Sequence, residues 1–593
     1  MTHDRRFRLY TLFLALAAAA TIWIVGSGEA TPHHDAVWAQ TGQGAVDTDR
    51  PAGEANRETI YKYSRLLNDI AYRIQSNYMD TINTKNMVYA GVRGMLEVLD
   101  PFSVLMEQQS YDRLMESTHG KYEGLGMQID LREDTVTIIA PIEGTPAQRV
   151  GLQAGDRIVA IDGKTTEGMN TEQAAKLMRG TAGTKVVLTI VRTGLNEPLD
   201  YTVERAVIEL KSVPYSGIID DADKIGYLRL NKFSESTEQE LHDALADLKS
   251  KGAKSIIFDL RYNGGGLLDQ AVKTASLFLE KDKMVVYTQG RDPESQHKYF
   301  STDAALVPDL PLIVLVDEGT ASASEIVSGA IQDWDRGLII GNTTFGKGLV
   351  QQVYRLPETD DVALKLTTAR YYVPSGRSIQ KPSRSSKHPH AEDEEVDSTV
   401  SERSHDHDAV FYTNKGRKVY GGGGIVPDVL IDRPVFRPLE INLWRQGKFF
   451  NYAVHYSALH PDISMDFNAD DSVLADFRRY LVDTKFDYKT ETEADLDNMT
   501  KELKDDKERQ VIYQAAIDQI HGLVAKEKEL AFTESRDVMK REIKRALLSK
   551  VYGDRGYYEG WVGRDDDYVK RAKAILTTKD EYRRLLAGDT KKS

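Results

Sequence analysis

Apolar residues recur at three- and four-residue steps from Glu58 to about Met115, with Ile60, Tyr63, Leu66, Leu67, Ile70 and Ile74 marking one face. That spacing predicts amphipathic helix, interrupted at Leu99-Asp100-Pro101, where the proline disfavours helical backbone in the residue before it. Between 119 and 207 the pattern changes to short β-rich runs, at 135–139 and 186–191, around one short helix at Thr171–Met178. This predicts a small β domain. From 208 to about 380 the periods alternate. Strands are expected at 225–230, 255–260 and the wholly apolar Leu312–Val316, and helices at 238–249, 268–279 and 322–334. Such alternation predicts an α/β layer arrangement. Beyond about Pro438 the chain reads as helical and highly charged to its end, and no repeat of fixed period occurs.

A chain of 593 residues is too long for one core and should divide into roughly three to five domains. Residues 41–56, rich in Gly, Asp and Ala, read as a flexible linker, and 381–408, polar and rich in Ser and His, as a disordered insertion. The net charge of −14 argues against nucleic-acid binding. The chain has no cysteine, which excludes disulfides, thiolate metal sites, a cysteine nucleophile and a lipid anchor on cysteine. At the N-terminus Arg5, Arg6 and Arg8 precede an apolar run from Leu9 to about Gly26. As a signal peptide it would be cut after Ala39, with Val37 standing where the first Ala of an A-x-A site belongs. As an anchor, its roughly 18 apolar residues are just long enough to span. Both readings place the body of the chain outside the cytoplasm.

Three segments carry candidate chemistry. In 317–325, Asp-Glu-Gly-Thr-Ala-Ser-Ala-Ser-Glu, an apolar strand ends, a turn follows and a helix starts at Ser322. Free amides and the helix dipole there favour developing negative charge, and the Ala323 N–H could form half of an oxyanion hole. Ser322-x-x-Glu325 is equally a helix capping box. The second segment, Gly341 to Gly348, falls short of a phosphate loop because Gly348 replaces the Ser or Thr that would bind Mg²⁺. The 349–354 run shows no helix start, which a phosphate loop requires. Lys347 lies beside Phe345, Leu349 and Val350 and reads as a partly buried amine. The third segment, Asp259-Leu260-Arg261-Tyr262-Asn263-Gly264-Gly265-Gly266, follows a strand and precedes a helix. Its glycines would let backbone approach a ligand, though a plain β–α turn has the same look.

Taken in this order, the three segments resemble the C-terminal processing peptidases, or tail-specific proteases. The resemblance implies that Ser322, within Thr320-Ala321-Ser322-Ala323-Ser324-Glu325, is the nucleophile. Lys347, 25 residues on, would be its general base, and Gln351 would complete the catalytic set. It also implies an oxyanion hole made by the amide of Ala323 and one from the 259–266 loop, either Gly265 or Gly266. The stretches Tyr372-x-Pro374-Ser375-Gly376-Arg377-Ser378-Ile379-Gln380 and Gly424-Ile425-Val426-Pro427-Asp428 match the family as well, so the resemblance covers about 57–435. The chemistry is coherent, because a lysine can replace histidine as base if burial keeps its amine neutral. None of the 13 histidines lies in the three segments, and His297 is the nearest to Ser322 in sequence.

The β domain resembles a PDZ domain. Gly124-Leu125-Gly126 would capture a terminal carboxylate with backbone amides, and the strand from Met127 to Leu131 would pair with the peptide. Residues 155–163, Gly-Asp-Arg-Ile-Val-Ala-Ile-Asp-Gly, match the most recognisable PDZ segment. His388-x-His390 and His405-x-His407 lack defined partners and read as solvated rather than metal-binding. The charges at Glu502, Lys504, Asp505, Asp506 and Lys507 read as a solvated helix face.

The expected fold is therefore multidomain α/β: a ClpP/crotonase-like protease core with a PDZ-like β domain. The expected order is a signal peptide or anchor (1–40), the linker (41–56), an N-terminal helical segment (57–118), the PDZ-like domain (119–207), the core (208–435) and a C-terminal helical extension (436–593). The expected function is a cofactor-free, metal-free serine endopeptidase acting on proteins or peptides with free C-termini. An adaptor protein, membrane association and a homo-oligomer are compatible with this. A catalytically degenerate PDZ scaffold is the alternative, disfavoured because Ser322, Lys347 and Gln351 are all present.

Overall fold

The computed structural model describes residues 51–356, 362–382, 409–503 and 507–588. The segments expected as signal peptide or anchor, most of the 381–408 insertion with its four histidines, and Lys504, Asp505 and Asp506 lie outside the described residues. Among the described residues no helix is long and apolar enough to cross a membrane.

The centre is a six-stranded sheet in the order Tyr215–Asp220, Ile225–Arg229, Ser255–Asp259, Leu312–Val316, Leu338–Gly341 and Val429–Leu430. Only the first pair is antiparallel. Leu312–Val316 is buried along its whole length, as a parallel strand covered on both faces must be. Helices Thr237–Ser250, Leu268–Ser276 and Ala323–Asp333 pack one face through Leu245, Ala271, Ile326 and Ala330. The C-terminal helices Asp567–Thr577 and Lys579–Leu586 cover the other through Val569, Ile575 and Tyr582. This is the mixed helix-and-sheet core implied by the resemblance.

A second sheet joins Val104–Glu107, Val362–Tyr372, Met284–Gly290 and Lys298–Phe300, with Leu349–Arg355 also paired to Val362–Tyr372. The N-terminal segment is thus not helical throughout. Helices run Pro51–Asn77, Thr84–Glu97 and Gln108–His119, but Val104–Glu107 is a strand paired with the core. Once Pro101 ends the helix, the alternating Val104 and Met106 meet a ready sheet edge. The first helix also begins inside the stretch expected as linker, at Pro51, a residue suited to the first helical position. Lys381 is likewise ordered, its amide donating to the Gly346 carbonyl.

The β domain has sheet order Met127–Arg132, Thr135–Pro141, Arg157–Ile161, Lys185–Val191 and Leu199–Glu204, around a core of Ile138, Ile158, Leu188 and Val203. Its helix spans Thr171–Met178, as the sequence predicts, started by an Asn170–Gln173 capping box. The helix Gln108–His119 reaches it through Gln109 and Arg113 on Glu172 and through Glu116 on Arg179. The C-terminal helices form their own core around Leu443, Tyr452, Phe477 and Ile543. They touch the β domain where Lys448 and Asn451 meet Glu133.

Candidate active site

The loops that follow Asp259, Val316 and Gly341 leave the carboxyl ends of neighbouring parallel strands, where open α/β sheets place their ligands. These loops hold the three segments singled out in the sequence, so parallel topology brings together residues 25 to almost ninety positions apart.

Ser322 sits on the turn between Leu312–Val316 and the helix Ala323–Asp333, with φ 56° and ψ −116°. A positive φ is rare for a residue with a side chain and persists only where neighbours enforce it. The enforcement comes from Glu325, wholly buried. Its Oε2 accepts from the Ser322 amide at 2.8 Å and the Lys347 amide at 2.9 Å. Its Oε1 accepts from the Thr344 hydroxyl at 2.5 Å and the Gly346 amide at 2.7 Å. Burial pushes the Glu325 carboxyl up, and the four donations oppose that. The Tyr371 hydroxyl lies within reach of the Ser322 carbonyl, at 3.0 Å, and of the Lys347 carbonyl.

Lys347 is 4 % exposed. Its Nζ donates to Gln351 Oε1 at 3.1 Å and lies 4.8 Å from the centroid of the Phe102 ring. Burial, helped by the neighbouring Lys365 cation, lowers its amine to about 7, against the pull of Glu325 and Asp100. Gln351 is itself held, its Nε2 donating to the Phe102 carbonyl at 2.9 Å. The residues after Lys347 form the strand Leu349–Arg355. A phosphate loop would need a helix there, and that reading falls.

The glycine loop lies directly against Ser322. A Cβ on Gly265 (φ 103°) would stand 2.8 Å from Ser322 Cβ and 2.9 Å from the Ala323 nitrogen, so only glycine lets the loop come this close. The Gly265 amide donates to Asn263 Oδ1 at 2.9 Å. Among the described residues the amides of Gly266 and Ala323 donate to no protein group. Asp317 ties this loop to the serine turn: its Oδ1 accepts from the Tyr262 amide at 2.8 Å and the Gly319 amide at 3.0 Å. Burial lifts its carboxyl to about 6.

In the β domain, Met127–Arg132 is the edge strand, paired among the described residues with Thr135–Pro141 alone. Gly126 (φ 79°) presses on Thr145, whose hydroxyl reaches the Gly126 carbonyl at 2.8 Å. Leu125 is buried in the domain core. The two later sequence stretches serve as braces. Arg377 pairs with Asp333 at 2.8 Å and Gln332, and Asp428 accepts from Gln332 and the Ile339 amide. Both stretches thereby hold the far end of the serine helix. His297 lies on the hairpin between Met284–Gly290 and Lys298–Phe300, its backbone paired with Thr288.

Phe102, Tyr371 and Thr344 carry no sequence signal of their role. Glu325 did have one, since the capping-box reading of Ser322-x-x-Glu325 describes its bond to the Ser322 amide. Among the described residues no cluster of acidic or histidine side chains could hold a metal.

The Peptidase family S41 model matches residues 224–386, a PDZ domain model matches 137–192, and "Probable PDZ-protease, C-terminal helical domain" matches 439–576. The carboxy-terminal-processing protease of Bartonella bacilliformis is 40% identical over 329 residues, 55% of this chain and 74% of that protein. The carboxy-terminal processing protease CtpA of Bacillus subtilis is 35% identical over 317 residues, 53% of this chain and 66% of that one. Among solved structures, a photosystem II D1 C-terminal processing protease is 28% identical, with 55% of this chain and 85% of that one covered at a TM-score of 0.33.

Proposed function

Because this chain belongs to the carboxy-terminal-processing proteases, PDZ-bearing serine-type peptidases of family S41, we propose that it cleaves polypeptides with Ser322 as nucleophile and Lys347 as general base. The observation that carries this is the state of the Lys347 amine. It is buried, held by Gln351 and lowered to about 7, so a useful fraction is neutral near neutral pH. An exposed lysine, titrating near ~10.4, would offer almost none.

In the first step Ser322 Oγ attacks the scissile carbonyl carbon while its proton passes to Lys347 Nζ. The amides of Ala323 and Gly266 receive the oxyanion. Gly266 is preferred to Gly265 because the Gly265 amide is already committed to Asn263. Such donors act on charge that develops only in the transition state, and losing one costs ~10²–10³ in rate. Collapse breaks the C–N bond, and Lys347 returns its proton to the departing amine. A water, deprotonated by Lys347 Nζ, then attacks the acyl carbon; the bond to Ser322 Oγ breaks and Lys347 returns that proton to the serine.

Substrates reach this site through the PDZ domain. The Gly124, Leu125, Gly126 and Met127 backbone would hold a free C-terminal carboxylate, and the unpaired edge of Met127–Arg132 would add the peptide as a further strand. The arginines and apolar run at the N-terminus support action outside the cytoplasm, on extracytoplasmic proteins.

The test is degradation of an unfolded polypeptide by the purified protein without nucleotide or metal. Wild type should cleave it, and Ser322→Ala and Lys347→Arg should not, since arginine stays protonated. Substantial turnover by folded Lys347→Arg would remove the lysine from the mechanism.

A further inference from the structure

We propose that Phe102, in the turn that joins the N-terminal helices to the protease core, is a positioning residue that keeps the Lys347 amine dry and Gln351 aimed at it. This rests on the reading of Lys347 as the base and adds a part supplied from outside the three sequence segments.

The turn is built to hold one shape against the core. Asp100 Oδ1 accepts from the amides of Phe102 at 2.9 Å and Ser103 at 3.0 Å, an Asx-type turn. The Ser103 hydroxyl donates to Asp100 Oδ2 at 2.8 Å and accepts from the Thr367 amide at 3.1 Å. The Thr367 hydroxyl donates to Asp100 Oδ1 at 3.2 Å. The strand that follows locks into register, Val104 opposite Lys365. The turn is therefore clamped to the strand Val362–Tyr372, which is paired to the strand bearing Gln351.

Phe102 uses this fixed frame in two ways. Its carbonyl accepts from Gln351 Nε2 at 2.9 Å. That bond orients the amide so that Oε1, not the NH₂ group, faces Lys347 Nζ. Its ring lies over Nζ at 4.8 Å, on a side where water would otherwise solvate the ammonium. A ring face also attracts a cation, which works against the dry cover, and the direction in which the activity midpoint moves when the ring is removed decides between the two. The charged groups around the amine are Lys365 from the strand Val362–Tyr372, Glu325 from the serine helix and Asp100 from the turn itself. Only Lys365 acts in the same direction as burial.

The experiment is the pH profile of turnover of one fixed peptide by full-length Phe102→Ala, Phe102→Gln and Phe102→Leu, with Ser322→Ala and Lys347→Arg in the same assay. Folding is checked by thermal denaturation. Removing the ring admits water and moves the activity midpoint up from about 7 toward the ~10.4 of a free lysine. At pH 7, Phe102→Ala and Phe102→Gln should then lose about fivefold in turnover for the first pH unit the midpoint climbs and about tenfold for each further one, and recover at high pH. Phe102→Leu keeps an apolar cover, and its midpoint should stay near that of wild type. Gln serves as the decisive variant if Ala does not fold. A uniform loss of activity with an unmoved midpoint would make the residue merely structural and overturn the proposal. Activity in folded Lys347→Arg would instead overturn the Ser/Lys reading, so the two failures are distinguishable.

Discussion

The backbone amides of Ser322 and Lys347 converge on a single atom, Oε2 of Glu325, at 2.8 and 2.9 Å. Residues 25 positions apart are thereby tied to each other through one buried carboxylate. The same carboxylate takes the Thr344 hydroxyl and the Gly346 amide on its other oxygen, so every donor on the lysine loop that faces it is satisfied.

Glu325→Gln keeps the shape but replaces one acceptor oxygen with an NH₂ group that faces two donors. It should destabilise the protein by about 2–4 kcal/mol and lower turnover at least ~10-fold. Thermal denaturation and kcat measured together would check this. Wild-type turnover in Glu325→Gln would mean the serine turn holds its positive φ unaided.

Lys347 should be a burden on stability. Its amine titrates at about 7 in the folded chain and near ~10.4 in the unfolded one. Between those values folding releases a proton, so stability rises with pH across that window; below about 7 both states hold the proton and the cost is fully present. Lys347→Met should therefore raise stability by about 1–3 kcal/mol at pH 7, with the gain shrinking toward pH 10. Denaturant titrations of both proteins at pH 7 and pH 10 give the answer, and a gain that grows with pH would contradict the low amine pKa.

Lys365 is buried and lowered to about 8 by that burial, so it is still largely charged at pH 7 and pushes the Lys347 proton off. Lys365→Met removes the push. The midpoint of the activity–pH profile should move up by about half a unit to one unit, with turnover at pH 7 falling ~2- to 6-fold. Because the two amines titrate in sequence, wild type should also show a shallower rise than one group gives. A downward shift would exclude Lys365 as an electrostatic partner.

The C-terminal helices reach the loops of the candidate site. Arg261 of the glycine loop donates to both oxygens of Asp566, at 3.1 and 2.9 Å, and stacks 4.8 Å from the Tyr568 ring. The Tyr568 hydroxyl bonds Asn342, in the loop that leads to Lys347. Asp566→Asn keeps the cap on Val569 but weakens the pairing with Arg261. Turnover should fall ~3- to 10-fold, with binding of a tail peptide unaltered. Equal kcat in wild type and Asp566→Asn would show that the extension does not support the loop.

Tail capture is open to direct measurement on full-length Ser322→Ala. A peptide with a free C-terminal carboxylate should bind at least ~10-fold tighter than its C-terminal amide. Equal affinities would rule out carboxylate recognition by Gly124 to Met127.

Much of this protein is legible in its sequence, and the reasons are local. Leu312–Val316 is apolar at every position because a central parallel strand is covered on both faces. Thr171–Met178 is read correctly as a short helix among β-rich runs. Ser322, Lys347 and the glycine loop stand in contiguous motifs because each is one strand-to-loop transition. What tertiary structure alone decided is which distant residues complete them. Phe102 lies 245 residues before Lys347, in what the sequence presents only as a helix break. It reaches the amine because Val104–Glu107 finds an open sheet edge. Tyr371, Asp566 and Tyr568 are ordinary residues on a strand and a helix until strand order and helix packing bring them to the loops. Periodicity and motif spacing report on neighbours along the chain, whereas the burial that lowers the Lys347 amine is created by chain segments from both sides of it in sequence.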